Sequence, residues 1–314
     1  MRGRPGLNSK KLVDGFIKRG KRFIHLAEAV ELSGTSEKTF ARMLERLALD
    51  GDVIRLERGL YGLAGEELNP LAVGRELAGG VNYYISNGSA MELWGMDSDP
   101  HPPSGDIPDL PPFRGKEALR EAPAAEVIVT LTDKRRMRPR RVMGVEYRFV
   151  NDNLLAAGKM VRLTPRPEHW RMVEVEVSRG EFVWVSDPEW TVLSGLARPD
   201  LCGGIDGVAR AVWNWQGRLD LDKLVKYANH IRNRTAVRRL GYVLEALGMH
   251  TEESEFVLGF SVFSSYGRLE PGRPAGGELY RKWRLDVNVE LGNKDLTTEN
   301  SESTEEHGGF LGKK

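Results

Sequence analysis

Lys38, Thr39, Arg42 and Arg46 recur at intervals that place them on one side of a helix, opposite Phe40, Met43, Leu44 and Leu47. A reader of the DNA major groove needs such a helix, with an apolar face docked on its own domain and a basic face outward. In that arrangement Thr39, Arg42 and Arg46 address base edges and Lys38 holds a phosphate. The competing reading of the same stripe is a solvated helix face, or a winged helix used for docking protein. Arg55 and Arg58 follow in a hairpin, where a wing meets backbone or minor groove. Arg2-Gly3-Arg4-Pro5 has the form of a minor-groove arm, and equally of a flexible basic tail. Lys134, Arg135, Arg136, Arg138, Arg140 and Arg141 lie between two expected strands. They form either a solvated loop tip or an electrostatic surface for nucleic acid or an acidic partner.

Residues for catalysis do not gather in the same way. Gly88-Ser89 with Asp97-Ser98-Asp99 has the look of the G-S…D-x-D of nucleotidyltransferases, whose paired aspartates hold Mg²⁺ on a strand. The gap here is short, and Ser98 with Pro100 spoils a buried strand. The histidines at 25, 101, 169, 230, 250 and 307 share no ligand spacing, and Cys202 alone makes no zinc site. Glu174 and Glu176 share one side of a strand without the second acidic cluster and lysine of a nuclease. The expectation is a protein without catalytic residues, metal or cofactor. Trp184, Trp190, Trp213 and Trp215 read as core and interface residues.

The elements that position these residues begin with residues 7–63, which read as helix, helix, helix, hairpin: a winged helix-turn-helix. The third helix is expected from about Ser36 to Leu49. The hairpin follows as Val53 to Leu56 and Leu60 to Leu63 around Arg58-Gly59. Residues 1–63 hold 13 Lys/Arg and 8 Asp/Glu, a local surplus of five in a chain whose net charge is only +1. Residues 64–80 read as a linker with one short helix. Residues 81–290 form an α+β domain, sheet then helices, and 291–314 read as a disordered tail. Period-two alternation marks strands at 127–131, 145–149, 173–177 and 182–185. Helices follow from Ser186, with Ser186 to Glu189 reading as an S-x-x-E capping box. Phe256 to Phe263 reads as a further helix, and Trp283 to Val289 as a strand returning to the sheet. No apolar run is long enough to cross a bilayer, and no apolar core follows the basic N-terminus as a secretory signal requires. A single cysteine fits the reducing cytoplasm.

The stretch Ser186-Asp187-Pro188-Glu189-Trp190-Thr191, then Arg198-Pro199 and Gly203-Gly204-Ile205, resembles the S-D-P-E-x-T…R-P…G-G-I block of AbiEi-type antitoxins. These are the antitoxin half of bacterial and archaeal abortive-infection (type IV) toxin–antitoxin pairs. The family pattern carries Arg after the glutamate and Asp a few residues on, where this chain has Trp190 and Ser194. Tyr84-Ile85-Ser86 with Ser89-Ala90…Leu93-Trp94-Gly95, and Arg239-Leu240-Gly241-Tyr242-Val243-Leu244-Glu245, are similar to further blocks. With the N-terminal module, the resemblance extends over residues 7–290. It implies an antitoxin and autorepressor that binds double-stranded operator DNA through its winged helix and counters a nucleotidyltransferase-type toxin. A ligand-sensing transcription regulator without a toxin partner is the alternative, and a nucleic-acid-processing enzyme a further one.

Overall fold

A computed structural model describes residues 9–65, 67–80, 82–97, 126–133, 135–151, 154, 171–249 and 265–291. The fold is mixed α+β, and the described residues form two compact units. The first holds residues up to Ala90 with 126–151 and 171–187; the second holds 91–97, 154, 188–249 and 265–291. None of the helices among the described residues is long and apolar enough to cross a membrane.

The chain opens with α1 (Ser9–Lys18), β1 (Phe23–His25), α2 (Leu26–Ser33), α3 (Glu37–Asp50), β2 (Val53–Glu57) and β3 (Leu60–Leu63). The strands pair antiparallel in the order β1-β3-β2, giving the arrangement of a winged helix with the β2–β3 turn as its wing. α3 starts at Ser36, whose Oγ accepts from the Thr39 N–H at 3.4 Å. It ends at Gly51, where φ is +81° and the N–H returns to the Leu47 carbonyl. Phe40, Leu44 and Leu47 turn inward onto Phe16, Ile24, Val53, Tyr61 and Leu63. Met43, expected among the buried positions, is only partly covered. β1 was not foreseen, because three residues are too few to show alternation.

The same unit contains α4 (Pro70–Leu77), β4 (Tyr83–Ile85), β5 (Glu126–Leu131), β6 (Arg140–Val142), β7 (Val145–Asn151), β8 (Met172–Ser178) and β9 (Glu181–Ser186). The sheet runs β6-β7-β5-β4-β9-β8, with β5–β7 and β4–β9 parallel and the remaining neighbours antiparallel. α4 falls in the segment read as a linker, yet it lies directly on the sheet. A Cβ at Gly74 would sit 3.3 Å from both Val127 Cγ1 and Val129 Cγ2, so the helix approaches β5 through its glycine. Asn69 caps α4 by accepting from the Leu71 N–H at 2.9 Å, and its amide donates to the Val177 carbonyl. α5 (Asn87–Trp94) follows β4.

The second unit is built on α6 (Pro188–Ala197), in which residues 189–196 are all buried. Around it stand a 3₁₀ turn (Pro199–Leu201), α7 (Gly204–Asn214), α8 (Leu221–His230) and α9 (Arg234–Ala246). Two expectations are corrected here. Glu189 does not close a capping box with Ser186. Its carboxylate accepts from the Asp220 N–H at 3.0 Å and from Lys223 Nζ at 2.8 Å, joining the start of α6 to the start of α8. Nor does the Trp283–Val289 segment return to the large sheet. β12 (Leu285–Val287) lies between β10 (Gly267–Arg268) and β11 (Glu278–Tyr280) in a small sheet of its own. The alternation was real, but alternation carries no information on which sheet a strand joins. The expected helix at 256–263 and the tail beyond residue 291 lie outside the described residues.

Candidate nucleic-acid interface

Lys38, Thr39, Arg42 and Arg46 are all exposed on α3, opposite its buried side. Lys38, Arg42 and Arg46 are four residues apart, so they form one stripe that rises about 12 Å along the helix. The four are not equally available. The Thr39 hydroxyl lies 2.8 Å from Ser36 Oγ, inside the helix cap. Arg46 Nε stands 3.9 Å from Asp50 Oδ2, a loose surface pair of little strength. Lys38 and Arg42 have no partner among the described residues. Arg55 is exposed on β2, and Arg58 is exposed at the wing tip next to Gly59, whose φ of +80° makes the turn. Leu26 N–H donates to the Gly59 carbonyl at 2.8 Å, which holds the wing against α2.

The basic loop between β5 and β6 splits into two groups. Arg135 is engaged: Nε reaches Asp133 at 2.6 Å and Nη1 donates to the Ala78 carbonyl at 3.0 Å. Arg140 pairs with Glu57 of β2 and lies 5.7 Å from the Phe149 ring centroid. Burial holds the Arg140 guanidinium below its ordinary pKa. Arg136, Arg138 and Arg141 are exposed. Lys134, Arg2 and Arg4 lie outside the described residues.

The wing tip, the C-terminal end of α4 and this loop enclose a cleft of about 560 Å³. His25, at the end of β1, lines it beside Glu76 of α4, with Nε2 and Oε2 2.5 Å apart. Arg75 Nη2 in turn meets Glu76 and, at 2.5 Å, Glu181 of β9. Arg22 Nη1 donates to Ser178 Oγ at 2.8 Å. Through these contacts the winged helix, α4 and the sheet are ionically joined within one unit. Spacing could not reveal the His25–Glu76 pair, because 51 residues separate its members.

The hydrogen bond to Glu76 raises the His25 pKa above its ordinary 6.5, against the opposing effect of burial. Burial of Glu76 works against its ionisation, but hydrogen bonds from His25 and Arg75 with the charge of Arg75 prevail, and its pKa is lowered. Lys21 opposes and Glu28 supports protonation of His25. The stabilisation from a raised imidazole is complete below its unfolded value and is lost as pH rises through the folded one. The melting temperature of wild type should therefore exceed that of His25→Gln most near about pH 5.5 and least near about pH 9. An equal gap at both ends would show that the imidazole does not titrate against Glu76.

The aspartate motif does not assemble in the described residues. Ser89 Oγ accepts from the Ile128 N–H at 2.9 Å and donates to the Glu126 carbonyl at 3.2 Å, so its hydroxyl serves β5. Asp97 is exposed, and Asp99 lies outside the described residues. Among the described residues no three His, Cys, Asp or Glu converge as metal ligands. Glu174 and Glu176 are exposed on β8, where Glu176 accepts from the Gly180 N–H of the adjoining turn. Trp190 is buried edge-on to Tyr227, with ring centroids 5.8 Å apart.

No family model matches the chain, and no curated protein does. Among solved structures the chain is similar to the RV2827C protein from Mycobacterium tuberculosis, with a TM-score of 0.54 over 91% of this chain and 92% of that one. The two sequences are 12% identical, so the likeness is one of fold.

Proposed function

We propose that the chain is an operator-binding autorepressor and antitoxin. The observation that carries the DNA-binding half is the exposed stripe Lys38, Arg42 and Arg46 on a helix anchored by Phe40, Leu44 and Leu47, with the wing arginines Arg55 and Arg58 beside it. α3 enters the major groove, the arginines read base edges, and Lys38 and the wing hold the backbone. The antitoxin half rests on the resemblance of the S-D-P-E, R-P and G-G-I blocks. It has the protein counter a nucleotidyltransferase-type toxin in the cytoplasm, using no cofactor and no catalytic residue of its own. A ligand-sensing regulator is the second reading, favoured by the cleft beneath the wing.

The test pairs growth rescue with a promoter reporter, in cells expressing a nucleotidyltransferase-type toxin. Full-length Arg42→Ala/Arg46→Ala protein should release the promoter while still rescuing growth. Repression without rescue by wild type would leave a regulator and remove the antitoxin. A promoter indifferent to wild type would remove the repressor.

A further inference from the structure

Most charged side chains that line the cleft between the wing tip and the β5–β6 loop already have partners. His25 faces Glu76, Arg140 faces Glu57, and Arg135 is held by Asp133 and the Ala78 carbonyl. Two cations are left over. Arg58 on the wing and Arg136 on the loop border the same cleft, are exposed, and have no partner among the described residues. The lining contains four arginines and two glutamates, a surplus of two positive charges before His25 is counted. We propose that this cleft binds a phosphate ester of nucleotide size, clasped between Arg58 and Arg136.

Three features of the site fit that ligand. Arginine is suited to phosphate because its planar fork offers paired donors to two oxygens of one group. The walls are held before any ligand arrives. Asn151 Nδ2 donates to both the Asp133 and Arg135 carbonyls at 2.8 Å, pinning the loop, while Leu26 pins the wing. With the backbone of both walls fixed, binding has only the two arginine side chains left to order. The third feature is size and lining. A volume near 560 Å³ falls in the range of small-molecule sites, about 300–1,000 Å³. Leu60, Leu77 and Met137 add apolar surface for a ring system. One wall is the wing itself, so an occupant would alter what the wing presents to DNA.

The phosphate has two possible sources, a free ester or the backbone of bound DNA, and the experiment separates them. Isothermal titration of the full chain with adenosine diphosphate, and separately with inorganic pyrophosphate, is run at low salt. Saturable binding should weaken by roughly tenfold or more in Arg58→Gln and in Arg136→Gln, since a charge-assisted contact is lost in each. Arg179→Gln, in the exposed β8–β9 turn, should match wild type. Operator titrations with the same variants identify the source. An Arg136→Gln protein with unchanged operator affinity points to a free ester; one weakened equally toward operator and probe points to the DNA backbone. Arg42→Ala/Arg46→Ala should keep probe binding whatever it does to the operator, so this site and the α3 reading can fail independently. No saturable binding of either probe, or binding that survives the Arg58→Gln/Arg136→Gln double variant, overturns the proposal.

Discussion

Replacing Arg42 and Arg46 together with alanine is expected to weaken operator binding by roughly 100-fold or more. Each base contact is worth about 1–3 kcal/mol, and the double variant removes two contacts that stand one helical turn apart on the same face. Both side chains are exposed on the side of α3 away from its core, so the loss should come without unfolding. Lys38→Ala is the informative contrast. As a phosphate contact it should weaken operator and unrelated DNA alike, and lower the salt slope by about 0.9. Gel shift across a salt series, with circular dichroism as a check on folding, reads all three variants. Operator affinity unchanged in the arginine double variant would exclude α3 as the recognition helix.

Trp283→Ala is expected to cost about 3–5 kcal/mol of stability, the range for deleting a buried aromatic side chain. The indole is 2% exposed, and its Nε1–H donates to Glu245 Oε2 at 2.6 Å. Tyr280 donates to the other oxygen of that carboxylate at 2.6 Å, so one glutamate on α9 holds two aromatic residues of the small-sheet region. The ring rests on Gly241. A Cβ there would come within 2.4–2.6 Å of three ring carbons, closer than packed atoms tolerate. Gly241→Ala should therefore destabilise by about 1–3 kcal/mol, although alanine is the better helix former. In a Trp283→Leu background the same change should cost little or become favourable, because the clashing ring is gone. Urea unfolding of the four proteins forms the cycle. A Gly241→Ala penalty that survives loss of the ring would show that the close approach is not its cause.

The helices and hairpin of the N-terminal module were legible because each is local; β1, three residues paired with the distant β3, was not. Ser36 and Gly51 bound α3, and the apolar residues at 40, 44 and 47 set its buried face. The strands of the large sheet were legible singly, through period two. Their order was not, since the parallel pairs β5–β7 and β4–β9 join segments with other chain between them. Glu189 shows the same limit at the scale of one side chain. S-x-x-E specifies a local bond, but Lys223 and the Asp220 N–H were brought near by the fold and took the carboxylate instead. At the interface, the stripe on α3 could be read from spacing. The partners that occupy Arg135 and Arg140 could not, nor could the pairing that leaves Arg58 and Arg136 over.

The helix that carries the S-D-P-E resemblance is walled in: from Glu189 to Leu196 no residue reaches the surface. A Cβ on Gly195 would lie 2.8 Å from Met91 Cε and 3.0 Å from Val208 Cγ2. Residues in that position build the scaffold and are not where another molecule touches it. Substitutions there will present in cells as missing protein, cleared by proteases after failed folding, and will mimic loss of every activity at once. Abundance on a blot must therefore accompany any phenotype assigned to the motif, and the contact surface has to be sought among residues that meet solvent.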